Sequence, residues 1–119
     1  MITNFEEITE ELSPDELELI PILISGLKTK TKAFPVKAPE IVHGMRNKIS
    51  SMGLKTKMTE ARLRKCINYI RSNSLLPVIA TSKGYYVSYD KNEIENQILS
   101  LTERSRSIMN CAEGLKKLL

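Results

Sequence analysis

Thr59-Glu60-Ala61-Arg62-Leu63-Arg64-Lys65-Cys66-Ile67-Asn68-Tyr69-Ile70-Arg71-Ser72-Asn73 is the stretch on which the reading of this chain turns. Leu63, Cys66, Ile67 and Ile70 recur at i, i+3, i+4 and i+7, one face of a 3.6-residue helix. The opposite face carries Ala61, Lys65, Asn68 and Ser72, flanked by Arg62, Arg64 and Tyr69. The spacing predicts a helix over 59–73, with one face made for a core and the other basic and rich in hydrogen-bond donors. Thr59 is the expected N-cap, because its hydroxyl can accept from a backbone N–H that has no partner within the helix. Met58 and Leu63 stand where a hydrophobic staple belongs, before the cap and at the fourth helical position.

Upstream of this stretch, Pro39 opens a second predicted helix. Its buried face is Ile41, Val42, Met45, Ile49 and Met52, and Glu40 lies in its first turn, where the helix dipole favours an acid. Gly53 is the natural residue just past its end. Leu54-Lys55-Thr56-Lys57-Met58 then leads into Thr59, giving helix, Gly-containing turn, helix. The turn is longer than the roughly three or four residues usual for this motif. His43, the single histidine, lies beside the apolar face with no metal-ligand spacing and reads as structural.

Further upstream, Lys28, Lys30 and Lys32 alternate ahead of Ala33-Phe34-Pro35-Val36-Lys37, which reads as a short edge strand or an extended connector. Pro35 argues against a central strand, since it has no N–H to give a sheet. Ser13-Pro14-Asp15-Glu16 is a helix start, with Ser13 as cap, Pro14 at the first helical position and Glu16 completing a capping box. Leu12 and Leu17 would staple it. Leu17, Ile20, Leu23, Ile24 and Leu27 form its apolar stripe, Pro21 is expected to bend or split it, and Gly26 to end it. Residues 1–12 are acidic with scattered Ile2, Phe5, Ile8 and Leu12, and read as a frayed helix or a mobile arm.

Downstream, Leu75–Thr81 and Tyr85–Ser88 are β-rich runs joined by Ser82-Lys83-Gly84, which predicts a hairpin with Gly84 in a left-handed conformation. Asp90-Lys91-Asn92-Glu93 is a further capping box, opening a last helix toward Leu119. From Lys91 to Leu119 is 29 residues, roughly 43 Å of helix. Ile94, Ile98, Leu101, Ser105, Ile108, Ala112, Leu115 and Leu119 are spaced alternately by four and three, a heptad seam with Ser105 as its one polar interruption. Such a seam predicts a homodimer, with Ile94, Ile98, Leu101, Ile108 and Leu115 as its principal contacts.

Charge is distributed unevenly over the 119 residues. Residues 1–27 hold seven acids and no bases, while residues 28–89 hold thirteen bases and two acids, a net +11. A concentrated basic segment is the electrostatic footprint of a polyanion binder. Hydrophobic content of 41% supports a modest core, mostly aliphatic because there is no Trp and little Phe or Tyr. Cys66 and Cys111 are too few for a disulfide framework or a zinc site and are expected to behave as small apolar residues, which suits a cytoplasmic protein. The chain shows no signal-peptide pattern, and its longest apolar run, Leu19 to Ile24, is far too short for a membrane span. No Gly-rich phosphate loop, Cys/His cluster, apolar carboxylate pair or nucleophile with a visible base is present. The expectation is a non-enzymatic protein without cofactor, metal or evident small-molecule ligand.

Helix, connector, helix, turn, helix, hairpin is the order of a winged helix-turn-helix domain. The stretch from Ser13 to Tyr89 resembles that family, most of all the small winged-helix proteins of bacteriophages and other bacterial mobile elements. The resemblance implies a winged helix-turn-helix domain over 13–89, which the acidic arm over 1–12 precedes and the C-terminal helix over 90–119 follows. It also implies that 59–73 is a recognition helix and 82–84 a wing. The overall class would be mostly α with a small β-hairpin, and the partner double-stranded DNA, for transcriptional regulation or as a replication accessory. In the major groove, Arg62 and Lys65 have the donors for guanine O6 and N7, and Asn68 those for adenine. Ala61 permits close approach, and Thr59 and Arg64 flank the same face. Lys55, Thr56 and Lys57 in the turn, and Lys83 on the wing, suit phosphates. A different class of function would use the same scaffold as a protein-interaction module, since an acidic partner satisfies the same charge. RNA is a weaker third choice, with no aromatic stacking platform evident in the sequence.

Overall fold

The computed structural model describes residues 11–119, so the arm expected over 1–12 lies outside the described residues except for Glu11 and Leu12. The chain divides into two compact units between Ser88 and Tyr89. The first contains α1 (Pro14–Leu17), α2 (Leu19–Leu27), α3 (Ala38–Ser51), α4 (Glu60–Ser72), β1 (Val78–Thr81) and β2 (Gly84–Val87). The second is α5 (Lys91–Lys116). The class is therefore mostly helical, with one antiparallel hairpin and a long C-terminal helix. Among the described residues, no helix is long and apolar enough to cross a membrane.

α1 starts as its sequence dictates. The Ser13 hydroxyl accepts from the Glu16 N–H, and the Glu16 carboxylate accepts from the Ser13 N–H. Pro21 does split the first helix, but at Glu18 rather than at itself: its ring excludes a bond to the Leu17 carbonyl, so a new helix begins at Leu19 with Pro21 in its first turn. The break separates Leu17 from the apolar stripe: Leu17 is exposed, and the buried face of α2 begins at Leu19, with Ile20, Leu23 and Leu27. Gly26 does not end the helix; it lies inside α2, which runs on to Leu27.

α3 ends in a Schellman motif. Gly53 adopts φ +75°, its N–H donates to the Ser50 carbonyl, and Leu54 N–H donates to that of Ile49. Met52 closes the helix as its C-cap and is exposed, so it does not belong to the buried face. α4 ends the same way without a glycine. Ser74 takes φ +55°, its N–H donates to the Arg71 carbonyl, and Leu75 N–H donates to that of Ile70.

α2, α3 and α4 pack on one another, α2 also against β2 and α4 against β1. Leu19, Leu23, Leu27, Ile41, Val42, Met45, Ile49, Met58, Leu63, Cys66, Ile67, Ile70, Leu76 and Val78 share the resulting core, joined by Val36 from the connector. The connector meets the sheet at Val36, which exchanges backbone hydrogen bonds with Tyr85 at 2.9 and 2.7 Å, and at Lys30, whose carbonyl accepts from the Val87 N–H at 3.2 Å. Before it, residues 31–34 form a tight turn closed by Phe34 N–H on the Thr31 carbonyl.

The hairpin is tighter than its sequence suggests. Thr81 pairs with Gly84, leaving only Ser82 and Lys83 as the loop. Gly84 opens β2 at φ +127°, the positive φ expected of a glycine here, and a Cβ there would lie 2.5 Å from the Val36 carbonyl oxygen. Glycine is required because the connector backbone passes against it. Tyr86 is buried and Tyr85 half-buried.

α5 starts at Asp90, whose carboxylate accepts from the Glu93 N–H, and spans 26 residues, ending at Lys116 rather than Leu119. It buries none of its residues. Along the expected seam Ile98, Ile108 and Leu115 are exposed, as is Cys111, which contrasts with the small apolar role expected of it.

Candidate nucleic-acid interface

α4 has the two faces its sequence predicts. Leu63, Cys66, Ile67 and Ile70 are buried, and Thr59 caps the helix by accepting from the Arg62 N–H at 3.1 Å. The helix is anchored at both ends by arginines. Arg46 of α3 donates to the Met58 carbonyl at 3.0 Å, fixing the turn against α3, and Arg71 donates to the Val78 carbonyl at 3.1 Å, fixing the helix to β1. Neither arginine stands out in the sequence, because each acts on the backbone of another element.

The outer face of α4 is not a row of unengaged cations. Arg62 Nε donates to Glu16 Oε2 at 2.7 Å, and Lys65 Nζ donates to Glu16 Oε1 at 2.9 Å and Oε2 at 3.2 Å. Arg62 also donates to the Lys57 carbonyl. The two cations expected to reach guanine edges are thus held by one acid from α1. Glu16 is 5% exposed, and its two cationic partners are about one third and one quarter exposed. Burial alone would push the Glu16 carboxyl upward. The Ser13 N–H, the Arg62 and Lys65 hydrogen bonds and the Lys65 charge outweigh that and hold it at about 2. The capping box made Glu16 legible as a helix start; nothing local tied it to residues 46 and 49 positions away.

Cys66 lies beneath this cluster. Burial first, and the Glu16 charge second, push its thiol up to about 11 against the opposing pull of Lys65 and Arg62, so it stays protonated at neutral pH. His43 is exposed on α3, and no group of residues suited to a metal occurs among the described residues.

Of the other side chains expected at the interface, Lys55, Lys57, Ala61 and Lys83 are exposed, and Thr56, Thr59, Arg64 and Asn68 are half-buried. Lys55, Thr56 and Lys57 line one wall of a cleft of about 520 Å3 whose other wall carries Asp15, Glu16 and Glu18. Lys83 is at the hairpin tip, its backbone N–H donating to the Thr81 hydroxyl, which itself donates to the Gly84 carbonyl. No protein-family model, curated protein or solved structure matches this chain.

Proposed function

We propose that this is a non-enzymatic, cytoplasmic DNA-binding protein of winged helix-turn-helix type, presenting α4 to the major groove and the Ser82-Lys83 turn as its wing. The observation that supports this reading most is the amphipathic α4. It is docked on α3 through a glycine-closed turn that exposes Lys55 and Lys57, within a segment of net +11. Ala61 and Asn68 lie on its outward side for base edges, flanked by Arg64, with Lys55, Thr56, Lys57 and Lys83 for phosphates. Arg62 and Lys65 join them only by leaving Glu16. The exposed seam of α5 supports a homodimer, and two-fold proteins read inverted half-sites.

Selection of bound duplexes from a random pool at two salt concentrations tests the proposal, and an enriched motif is expected. Lys55→Gln and Lys57→Gln should each flatten the slope of log affinity against log salt by about one. A protein that retains no duplex at low salt would instead favour the protein-interaction module.

A further inference from the structure

Phe34 is 79% exposed at the end of the 31–34 turn. The fold uses only its backbone, whose N–H closes the turn on Thr31 at 3.0 Å. Its ring is left in water. Around it the sequence from Lys28 to Pro39 contains four lysines and no acid, and Lys28 and Lys37 are exposed. The turn is also held at both ends. Lys30 N–H donates to the Leu27 carbonyl, the Lys30 carbonyl accepts from Val87 N–H at 3.2 Å, and Val36 is paired to Tyr85. Because the backbone of the turn is held at both ends, little backbone freedom is lost when the Phe34 ring is covered.

Resting on the reading of this protein as a nucleic-acid binder, we infer that the 31–34 turn is a second contact, specific for an unpaired base. The Phe34 ring stacks on that base, while Lys28 and Lys37 take the phosphates on either side of it. The ligand class is a single strand, or a duplex carrying a single-stranded tail. One ring is a complete platform for one base. A bilayer surface is the poorer match, because binding there scales with buried apolar area and this turn offers a single ring. In β2 the pairing of Val36 with Tyr85 sets this turn toward the Val87 end, opposite the Lys83 tip at the Gly84 end. The two contacts are therefore separate along the hairpin.

Fluorescence anisotropy with the full chain tests this, using three labelled probes: a plain duplex, the same duplex with an oligothymidine tail, and oligothymidine alone. Phe34→Ala should bind the tailed duplex and the single strand roughly 5- to 150-fold more weakly, the range of one lost base stack. Plain-duplex affinity should be unchanged, and Phe34→Tyr should restore tail binding. Since the ring is exposed, these variants should keep the wild-type circular dichroism, which is checked first. Equal loss on all three probes, or no loss on any, would overturn the inference while leaving the duplex-binding proposal standing. Wild-type protein that binds none of the probes at low salt would remove both. Phe34-dependent binding to phosphatidylserine vesicles without Phe34-dependent tail binding would overturn it in favour of a membrane surface.

Discussion

Replacing Glu16 with glutamine isolates the contact that joins α1 to α4. The amide keeps the shape of the carboxylate and can still accept from the Ser13 N–H, but it removes the charge that Arg62 and Lys65 share. The Glu16 carboxyl titrates at about 2 in the folded chain against an ordinary 4.5. At about 1.36 kcal/mol for each pKa unit, that difference corresponds to about 3 kcal/mol. Because Arg62 and Lys65 are partly exposed and can turn to water once released, the expected cost at neutral pH is about 2–3 kcal/mol. The sign follows from the depressed value. The stabilisation is complete above the unfolded value of 4.5 and is lost as pH falls from there through about 2, as the unfolded chain takes up a proton that the folded chain refuses. Urea unfolding followed by circular dichroism, on wild type and Glu16→Gln between about pH 7 and pH 2, should give two curves well apart at neutral pH that converge in acid. Curves that stay parallel down to the lowest pH, or a variant as stable as wild type at neutral pH, would refute the reasoning. The same variant asks what Glu16 does to binding. If it withholds Arg62 and Lys65 from DNA, Glu16→Gln should bind a duplex more tightly, with a salt slope steeper by up to about two. Unaltered duplex binding would leave Glu16 a purely structural anchor.

Gly84→Ala would place a methyl 2.5 Å from the Val36 oxygen and 2.6 Å from its carbonyl carbon at φ +127°. It should cost about 3 kcal/mol or more. Gly53→Ala, at φ +75° with nothing within 4 Å, should cost only about 1 kcal/mol; equal costs in urea unfolding would show that the close approach to Val36 is immaterial. Ser74→Gly should gain about 0.5–1 kcal/mol, since Ser74 closes α4 at φ +55° without the freedom of glycine, and a loss in melting temperature would argue against strain there. Leu101→Glu and Ile108→Glu in the α5 seam should yield monomers that bind DNA more weakly, whereas wild-type light scattering that finds a monomer at about 100 μM would remove the dimer from the proposal.

Much of the scaffold is written in short-range pattern. The buried set of α4, the Thr59 cap, the Ser13–Glu16 box and the Gly53 terminus all follow from residues within one or two helical turns, where a few backbone groups must find partners nearby. The same locality explains the errors. Pro21 announced a break, but the missing bond is felt four residues earlier, and this cut Leu17 off from the stripe that α2 begins at Leu19. Gly84 was legible as special, yet its reason lies in Val36, 48 residues away, whose backbone crosses where a side chain would stand. The candidate site shows the division most clearly. Arg62 and Lys65 could be placed on the outer face of α4 from spacing alone, because a helix presents i and i+3 together. That both end on Glu16, and that Phe34 is left in water at a lysine-flanked turn, was decided by how α1 and the connector pack. Periodicity fixes which way a side chain leaves its own helix, whereas what it meets there depends on elements distant in the chain.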